Sequence, residues 1–259
     1  MNAADGLYVY GVVRDGTAAD LFTGVEGMDR SPVQVVEADG VAAIASSVPL
    51  AEFGEEALER NLKDAAWLEQ KVRAHDRVLA AAVGKTTVLP LRFGAIYHSE
   101  DHVRAMLAER PELGAQLARL DGLLEFGVKA VLDADALHSR LADARGGGAG
   151  EGGGRAYMQR KLQARELDQE TRAFAEACAN ASHEQLAAVA VDARANPVQP
   201  ADVAGGEMLL NGAYLIPAER EPELQAGVAD LRERFGPDGV AYELTGPWPP
   251  YNFAPEESS

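Results

Sequence analysis

The chain has 259 residues, 47% hydrophobic and 25% charged, a composition typical of a folded protein and not of a disordered or fibrous one. Its 24 lysines and arginines against 41 acidic residues give a net charge of −17, which excludes a general electrostatic attraction for nucleic acid or an anionic membrane. Cys178 is the only cysteine, which excludes an internal disulfide and a cysteine-rich metal site.

The N-terminal segments predict a strand followed by a hairpin. The run LYVYGVV, residues 7–13, is rich in β-branched and aromatic residues and predicts a buried strand. After a short helical stretch at residues 19–23, the dipeptide Asp39-Gly40 separates the apolar runs VQVVEA and VAAIASS. This dipeptide favours a type I′ hairpin, because both central positions of that turn have positive φ.

A long amphipathic helix is predicted next, over residues 58–83. Its apolar positions recur three and four residues apart, and we expect the stripe that contains Leu62, Val72 and Leu79 to pack on the sheet. The extended stretch TTVLPLRFGAIY follows, in which Pro90 is expected at a bulge or at a sheet edge. The resulting order β-α-β-β-α-β is that of a ferredoxin-like unit.

The remaining chain predicts a second set of helices and strands. Ser99 followed by two acidic residues predicts a helix start, and LLEFGVKAVL alternates apolar and polar residues as a half-buried strand does. A helix over about residues 155–181, the strand MLLNGAYLIP, the helix EPELQAGVADLRERFG and the strand VAYELTG complete the series. Residues 186–198 fit a helix and a strand equally.

We therefore predict an α+β fold with two domains. Residues 1–121 form an N-terminal ferredoxin-like domain, and residues 122–259 form a C-terminal α+β domain with the same element order and a long helix. Within the second domain, the glycine-rich residues 146–154 predict a flexible surface loop. Residues 247–253 predict a tail rich in proline and aromatic residues.

The titratable residues do not assemble a catalytic or metal-binding constellation. His98 and His102 stand four residues apart, but Ser99 is expected to cap the helix, so the two rings need not share a face as two metal ligands do. His75 and Cys178 fall on apolar stripes, where packing favours a buried histidine over a base and a small buried thiol over a nucleophile. We expect no catalytic residue, no cofactor and no metal, and the absence of about 18 consecutive apolar residues and of a signal peptide predicts a cytoplasmic protein.

Several longer blocks resemble one protein family. They are HDRVLAAAVGKTTVLPLRFGAIYHSEDHVRAML, LLEFGVKAVL, MLLNGAYLIP and the ending LTGPWPPYNF, together with the opening LYVYGVV and the tract RAYMQRKL. These blocks resemble the GvpF/GvpL family of gas vesicle proteins, in the same order and over nearly the whole chain. The glycine-rich stretch at residues 146–154 departs from the family pattern as an insertion.

The resemblance implies an accessory protein of gas vesicle formation and not an enzyme. It implies two α+β domains, the first with a modified ferredoxin-like fold, and a location in the cytoplasm and at the gas vesicle. The implied partners are the small hydrophobic shell protein, whose nucleation or assembly it assists, and other gas vesicle accessory proteins; whether it persists in the finished vesicle stays open. The rival hypothesis is a small-molecule-binding regulatory protein built from two ferredoxin-like units.

Five residues are the candidates for partner binding. Arg92 and Phe93 lie in the block VLPLRFG, where a charge within an apolar strand must reach a carboxylate, a carbonyl or solvent. Trp248, Tyr251 and Phe253 alternate with prolines in GPWPPYNF. We expect this tail to dock on its own protein with Trp248 buried, because exposed terminal aromatics favour aggregation. The alternative is a strip that binds the partner.

Overall fold

The computed structural model describes residues 5–16, 19–144 and 154–254. The chain divides into two compact units, of which unit 1 comprises Met1–Glu125 with Pro247–Ser259 and unit 2 comprises Phe126–Gly246. The described residues form two antiparallel sheets accompanied by helices, so the predicted combination of strands and helices is confirmed. Among these residues, every helix is either too short or too polar to cross a bilayer.

The sheet of unit 1 is built around its first strand. Its strands are β1 Asp5–Arg14, β2 Val33–Ala38, β3 Val41–Pro49, β4 Leu89–Pro90 and β5 Ile96–Tyr97. Their order is β2-β3-β1-β4 with antiparallel neighbours, and β5 also pairs with β1. β1 lies between β3 and β4, and its residues 6–13 are all buried, so both faces of this strand are covered. Pro90 lies on an edge strand, as the sequence predicts.

The turn between β2 and β3 is the predicted hairpin. Ala38 pairs with Val41, and the two residues between them have positive φ, 49° for Asp39 and 80° for Gly40. Positive φ at both central positions is the type I′ geometry, whose twist matches that of the two strands it joins. The hairpin prediction is therefore confirmed at the level of its turn type.

Five α-helices occur among the described residues of unit 1: α1 Leu50–Phe53, α2 Glu55–Asn61, α3 Ala65–Ala82, α4 Glu100–Ala108 and α5 Glu112–Arg119. Ser99 caps α4 as predicted, because its side chain accepts a hydrogen bond from the backbone N–H of His102. The connection between β1 and β2 contains two 3-10 helices, Ala19–Phe22 and Met28–Arg30. A ferredoxin-like unit has an α-helix in this connection. The ferredoxin-like description of unit 1 therefore stays a prediction.

The prediction of one helix over residues 58–83 is wrong. The segment forms α2 and α3, and α3 begins where the Asp64 carboxylate accepts hydrogen bonds from the next backbone N–H groups. Leu79 is buried as predicted, whereas Leu62 and Val72 are 41% and 36% exposed. Leu62 lies at the end of α2, outside α3, and the buried face of α3 keeps Leu79 but includes Lys71 in place of Val72. The buried residues of α3 are Lys71, Ala74, His75, Val78, Leu79 and Ala82.

Unit 2 contains the second sheet, with the strand order β7-β8-β6-β9. Its strands are β6 Leu123–Leu132, β7 Asp192–Ala195, β8 Glu207–Pro217 and β9 Val240–Trp248. The accompanying helices are α6 Ala134–Ala144, α7 Gly154–Ala187, α8 Ala201–Ala204 and α9 Glu221–Phe235. The ambiguous residues 186–198 contain the end of α7 and then β7. The predicted stripe of α9 is buried, and its residues are Leu224, Val228, Leu231 and Phe235.

The two units differ from the predicted domains at two places, because unit 1 runs to Glu125 and not to residue 121, and because it includes the tail. The sequence places the tail at residues 247–253 in the C-terminal domain, whereas the structure groups Pro247–Ser259 with unit 1. The reason is a set of hydrogen bonds from the tail to Asp76, Arg119 and Glu125, all of which belong to unit 1. Most of the glycine-rich segment predicted as a loop, residues 146–153, lies outside the described residues.

Candidate functional site

The tail is held on unit 1 by buried side chains and by hydrogen bonds. Phe253 is 1% exposed, and its carbonyl oxygen accepts a hydrogen bond of 2.5 Å from the Arg119 guanidinium. The Glu125 carboxylate accepts two further hydrogen bonds from Asn252, 2.9 Å from the backbone N–H and 2.6 Å from the side-chain amide. Glu125 is itself only 4% exposed. A buried carboxylate needs such donors, so the tail and Glu125 stabilise each other.

Two aromatic rings of the docked tail remain accessible. Trp248 is 44% exposed and Tyr251 is 40% exposed. The expected docking is thus present, but the expected burial of Trp248 is wrong. Gly246, which has a φ of 116°, interrupts the extended backbone of β9, so the buried face set by Val240 and Tyr242 does not continue to Trp248.

Phe93 and Tyr251 meet at His75. The ring of Tyr251 stacks on the imidazole with a centroid distance of 6.4 Å, and the half-buried ring of Phe93 lies 6.0 Å from the same imidazole. The Tyr251 hydroxyl donates a hydrogen bond of 2.9 Å to the Asp76 carboxylate. The structure therefore brings together two of the five candidate residues, with Phe253 buried in the same tail. Arg92 is exposed, so its charge reaches solvent, which is one of the three environments expected from the sequence.

His75 lies at the centre of a buried polar cluster that sequence periodicity did not reveal. The Tyr8 hydroxyl is 2.8 Å from His75 Nδ1, and it accepts a hydrogen bond from the backbone N–H of Gly94. The Tyr10 hydroxyl is 2.5 Å from the Ser46 hydroxyl and accepts a bond of 2.6 Å from the backbone N–H of Met28. Each hydroxyl is therefore satisfied within the core.

Burial sets the protonation of this cluster. It lowers the pKa of His75 to about 4, against the opposing effect of the Asp76 carboxylate, so the imidazole is neutral at pH 7. It also raises the pKa of Tyr8 and Tyr10 above the usual range of tyrosine, and partial desolvation together with the Asp76 carboxylate raises the pKa of the more accessible Tyr251. A neutral histidine among neutral phenols forms a hydrogen-bonded packing cluster, in line with the packing role expected for His75.

Lys71 is a second buried polar residue on the same helix face. It is 3% exposed and forms ion pairs with the carboxylates of Asp29 and Glu52, the latter at 2.9 Å. Its ammonium group also lies 5.1 Å from the ring centroid of Phe53 and 5.4 Å from that of Trp67. Burial acts to raise the pKa of Glu52, but hydrogen bonds from Trp67 and Lys71 outweigh it and lower that pKa. The ammonium is thus neutralised by two carboxylates.

The loop that supplies Asp29 has an unusual backbone. Asp29 and Arg30 have φ values of 48° and 61°, in the left-handed region that costs a residue with a β-carbon about 1–2 kcal/mol. The backbone N–H of Ser31 bonds the carbonyl of Met28 at 2.8 Å, which closes the turn. The ion pair with Lys71 holds Asp29 in place from the other side. Two consecutive strained residues persist only where contacts with the surrounding structure hold the backbone in place.

The other residues weighed in the sequence occupy ordinary structural positions. Cys178 is buried, and its sulfur lies 3.3 Å from the Tyr242 hydroxyl, which is itself 2.7 Å from the Ser182 hydroxyl. The rings of His98 and His102 are 6.1 Å apart, and His102 Nδ1 is 2.7 Å from the Ser99 hydroxyl. Among the described residues, His, Cys, Asp and Glu side chains do not gather in groups of three that could hold a metal.

Comparison with known proteins gives the class. The family model described as gas vesicle synthesis protein GvpL/GvpF matches residues 6–255. Gas vesicle protein L of Streptomyces sp. (strain CB03234) is 32% identical over 95% of this chain and 92% of its own length. Gas vesicle protein F of the same strain is also 32% identical, over 95% of this chain and 98% of its own length. The class of proteins that this chain resembles over nearly its whole length is therefore that of the gas vesicle proteins.

Solved structures agree in fold. The crystal structure of the gas vesicle protein GvpF from Anabaena sp. PCC7120 matches with a TM-score of 0.70 at 22% identity, covering 98% of each chain. That of GvpF from Microcystis aeruginosa matches with a TM-score of 0.68 at 24% identity, covering 96% of this chain and 99% of the other. The chain belongs to the GvpL/GvpF family, as its sequence blocks indicate.

Proposed function

We propose that this protein binds the small hydrophobic shell protein of the gas vesicle and assists its nucleation and assembly in the cytoplasm, together with other accessory proteins and without turning over a substrate. The observation that carries the proposal is the pair of accessible aromatic rings, Trp248 and Tyr251, on an anchored tail. Aromatic side chains dominate the free energy of protein association when they become buried in a partner.

The anchoring of the tail makes these rings suitable for binding. Pro249 and Pro250 are buried and restrict the backbone between the two rings, and Phe253 and Asn252 fix the segment that follows. A segment that is already ordered loses little conformational entropy on binding. Docking and partner binding, which the sequence posed as alternatives, are therefore compatible in this tail. The net charge of −17 would also keep a complex with an apolar subunit in solution.

Co-purification with the shell protein tests the proposal. We expect Trp248→Ala to weaken retention of the shell protein by about tenfold or more, since a central aromatic contact contributes about 2 kcal/mol or more to binding. The matched control is Leu62→Ala, which removes an apolar side chain of similar exposure, 41%, from unit 1. Both variants should unfold within about 1 kcal/mol of the parent protein. Undiminished retention by Trp248→Ala and Tyr251→Ala would contradict the proposed contact.

Deletion of the gene tests the wider claim. If the protein assists assembly, vesicle formation fails or slows without it and recovers when the parent chain is supplied. Recovery with the Trp248→Ala variant should be weaker than with the Leu62→Ala variant. Normal vesicle formation in the deletion strain would contradict a role in assembly, even if the shell protein still co-purified.

A further inference from the structure

A cleft of about 580 Å³ lies between the 24–30 loop and one face of α3, within unit 1. The helix contributes Gln70, Ala74, Arg77 and Ala81, which recur at intervals of four, three and four residues and so share one face. The two alanines leave room between the longer side chains. The loop contributes the opposite wall, which includes Glu26 and Arg30.

The cleft carries cationic groups that the protein does not neutralise. Among the described residues, the guanidinium groups of Arg30 and Arg77 have neither an ion-pair nor a hydrogen-bond partner, and both side chains are exposed. Their situation differs from that of Lys71, which also lines the cleft and whose charge is met by two carboxylates. It also differs from that of Arg73 on the same helix, which pairs with Glu69 at 2.7 Å. The cleft also contains the Glu26 carboxylate, but the two unpaired arginines outnumber it, so in a chain with a net charge of −17 the cleft is a local anion-attracting site.

The strained backbone of the loop places one of these arginines. Arg30 lies on the cleft wall with a φ of 61°, and its backbone N–H bonds the carbonyl of Gly27 at 3.2 Å. Its neighbour Asp29 is fixed by Lys71 of the opposite wall. Strained backbone that is held by its surroundings is concentrated at ligand clamps. The loop is therefore preorganised to present Arg30 across the cleft from α3.

We propose that this cleft binds a small organic anion through a carboxylate or phosphate group held by Arg30 and Arg77. The planar guanidinium donates two parallel hydrogen bonds to either group. The volume lies within the range of small-molecule sites, about 300–1,000 Å³, and exceeds what a single inorganic ion fills. This site is separate from the aromatic rings of the tail, so the inference does not depend on shell binding.

Isothermal titration of the full chain at constant ionic strength tests the site. The probes are sodium pyrophosphate for a phosphate ligand and sodium citrate for a carboxylate ligand, with glucose as the neutral comparison. We expect at least one anion to bind with a dissociation constant below about 1 mM, and Arg77→Ala to weaken that binding by about tenfold or more. The matched control, Arg73→Ala, removes the same charge from the same helix and should change the affinity by less than about twofold.

Arg30→Gly provides a second variant that does not endanger the fold. Glycine adopts a φ of 61° without strain, so the loop is kept while the guanidinium is lost. Binding should again weaken by about tenfold, and shell co-purification should be unchanged in both arginine variants. Binding of pyrophosphate alone identifies a phosphate ligand, and binding of citrate alone identifies a carboxylate ligand. No binding of either anion at about 10 mM, or equal losses in Arg73→Ala and Arg77→Ala, would overturn the proposal.

Discussion

The helices α3 and α9 each bury one stripe of side chains, and the two stripes differ in chemistry. That of α9 is wholly apolar, with Leu224, Val228, Leu231 and Phe235 one turn apart. That of α3 includes Lys71 and His75. Burying an ammonium group requires that carboxylates or other acceptors be brought to it, whereas a leucine requires only space. The apolar stripe of α9 serves stability alone. The polar stripe of α3 also contacts the exposed ring of Tyr251 through His75 and lines the cleft through Lys71.

The largest expected effect comes from removing a fully buried leucine on either helix. Leu79→Ala and Leu231→Ala should each lower the free energy of unfolding by about 2–5 kcal/mol, because both residues are 0% exposed and leave a cavity. Similar losses would show that the core around the polar stripe is as well packed as the apolar one. A loss below about 1 kcal/mol for Leu79→Ala would show a loose core that tolerates the cavity.

Denaturant titration with two probes separates the two units. Trp67 lies in α3 of unit 1, whereas Trp248 is the last residue of β9 in the second sheet, so in a Trp248→Phe background indole fluorescence follows unit 1 alone. Far-ultraviolet circular dichroism follows helices of both units. Leu79→Ala should shift the fluorescence transition. Leu231→Ala should shift the dichroism transition by more than the fluorescence transition, unless the two units unfold as one.

The next largest effect is expected at the loop beside the polar stripe. A β-carbon at Gly27 would lie 2.5 Å from the Tyr10 hydroxyl oxygen and 2.8 Å from the Ser46 hydroxyl oxygen. Gly27→Ala should therefore destabilise the protein by roughly 1–3 kcal/mol and disrupt the hydrogen bond between those hydroxyls. The matched control is Gly114→Ala in α5, where nothing lies within 4 Å and the exchange should stabilise by about 0.5–1 kcal/mol. Equal stability of the two variants would show that the hydroxyl cluster is easily displaced.

The smallest effect is a pH dependence confined to the polar stripe. The pKa of His75 is about 4 in the folded protein and 6.5 when the residue is exposed, so the unfolded chain binds more protons between these values. The contribution is complete well above pH 6.5 and is lost as the pH falls towards 4; between pH 7.5 and 5.5 the loss is about 1 kcal/mol. The difference in unfolding free energy between the parent and His75→Gln should change by this amount. A difference independent of pH would show that His75 is not buried as neutral imidazole.

The contrast between the two stripes also explains what could be predicted from the sequence. The α9 stripe and the Asp39-Gly40 turn depend on neighbours within one turn of chain, so periodicity and turn chemistry predict them. Lys71 is buried only because Asp29, 42 residues away, and Glu52 come to it, and a hydrophobic pattern counts any lysine as exposed. The prediction of one long helix failed because the apolar period masked the capping signal of Asp64.

The candidate site was predictable in part for the same reason. The composition of GPWPPYNF marks the tail as unusual, but its docking depends on Glu125, 127 residues earlier in the chain. In β6, where apolar and polar residues alternate, a glutamate such as Glu125 is predicted to face solvent unless its hydrogen-bond donors are known. The cleft was missed entirely, because Arg30 and Arg77 come together only when the 24–30 loop lies against α3. Two consecutive non-glycine residues with positive φ leave no clear signal in the sequence.

The docking of the tail on unit 1 has a consequence for synthesis on the ribosome. Unit 1 combines residues near the start of the chain with Pro247 and the residues after it, and the whole of Phe126–Gly246 is translated in between. Unit 2 can therefore complete its sheet while unit 1 still lacks Phe253 and the donors that satisfy Glu125. Domains usually fold in the order in which they emerge. Here the unit begun first is completed after unit 2 has been translated, so the rings proposed to meet the shell protein take their places later than the second sheet.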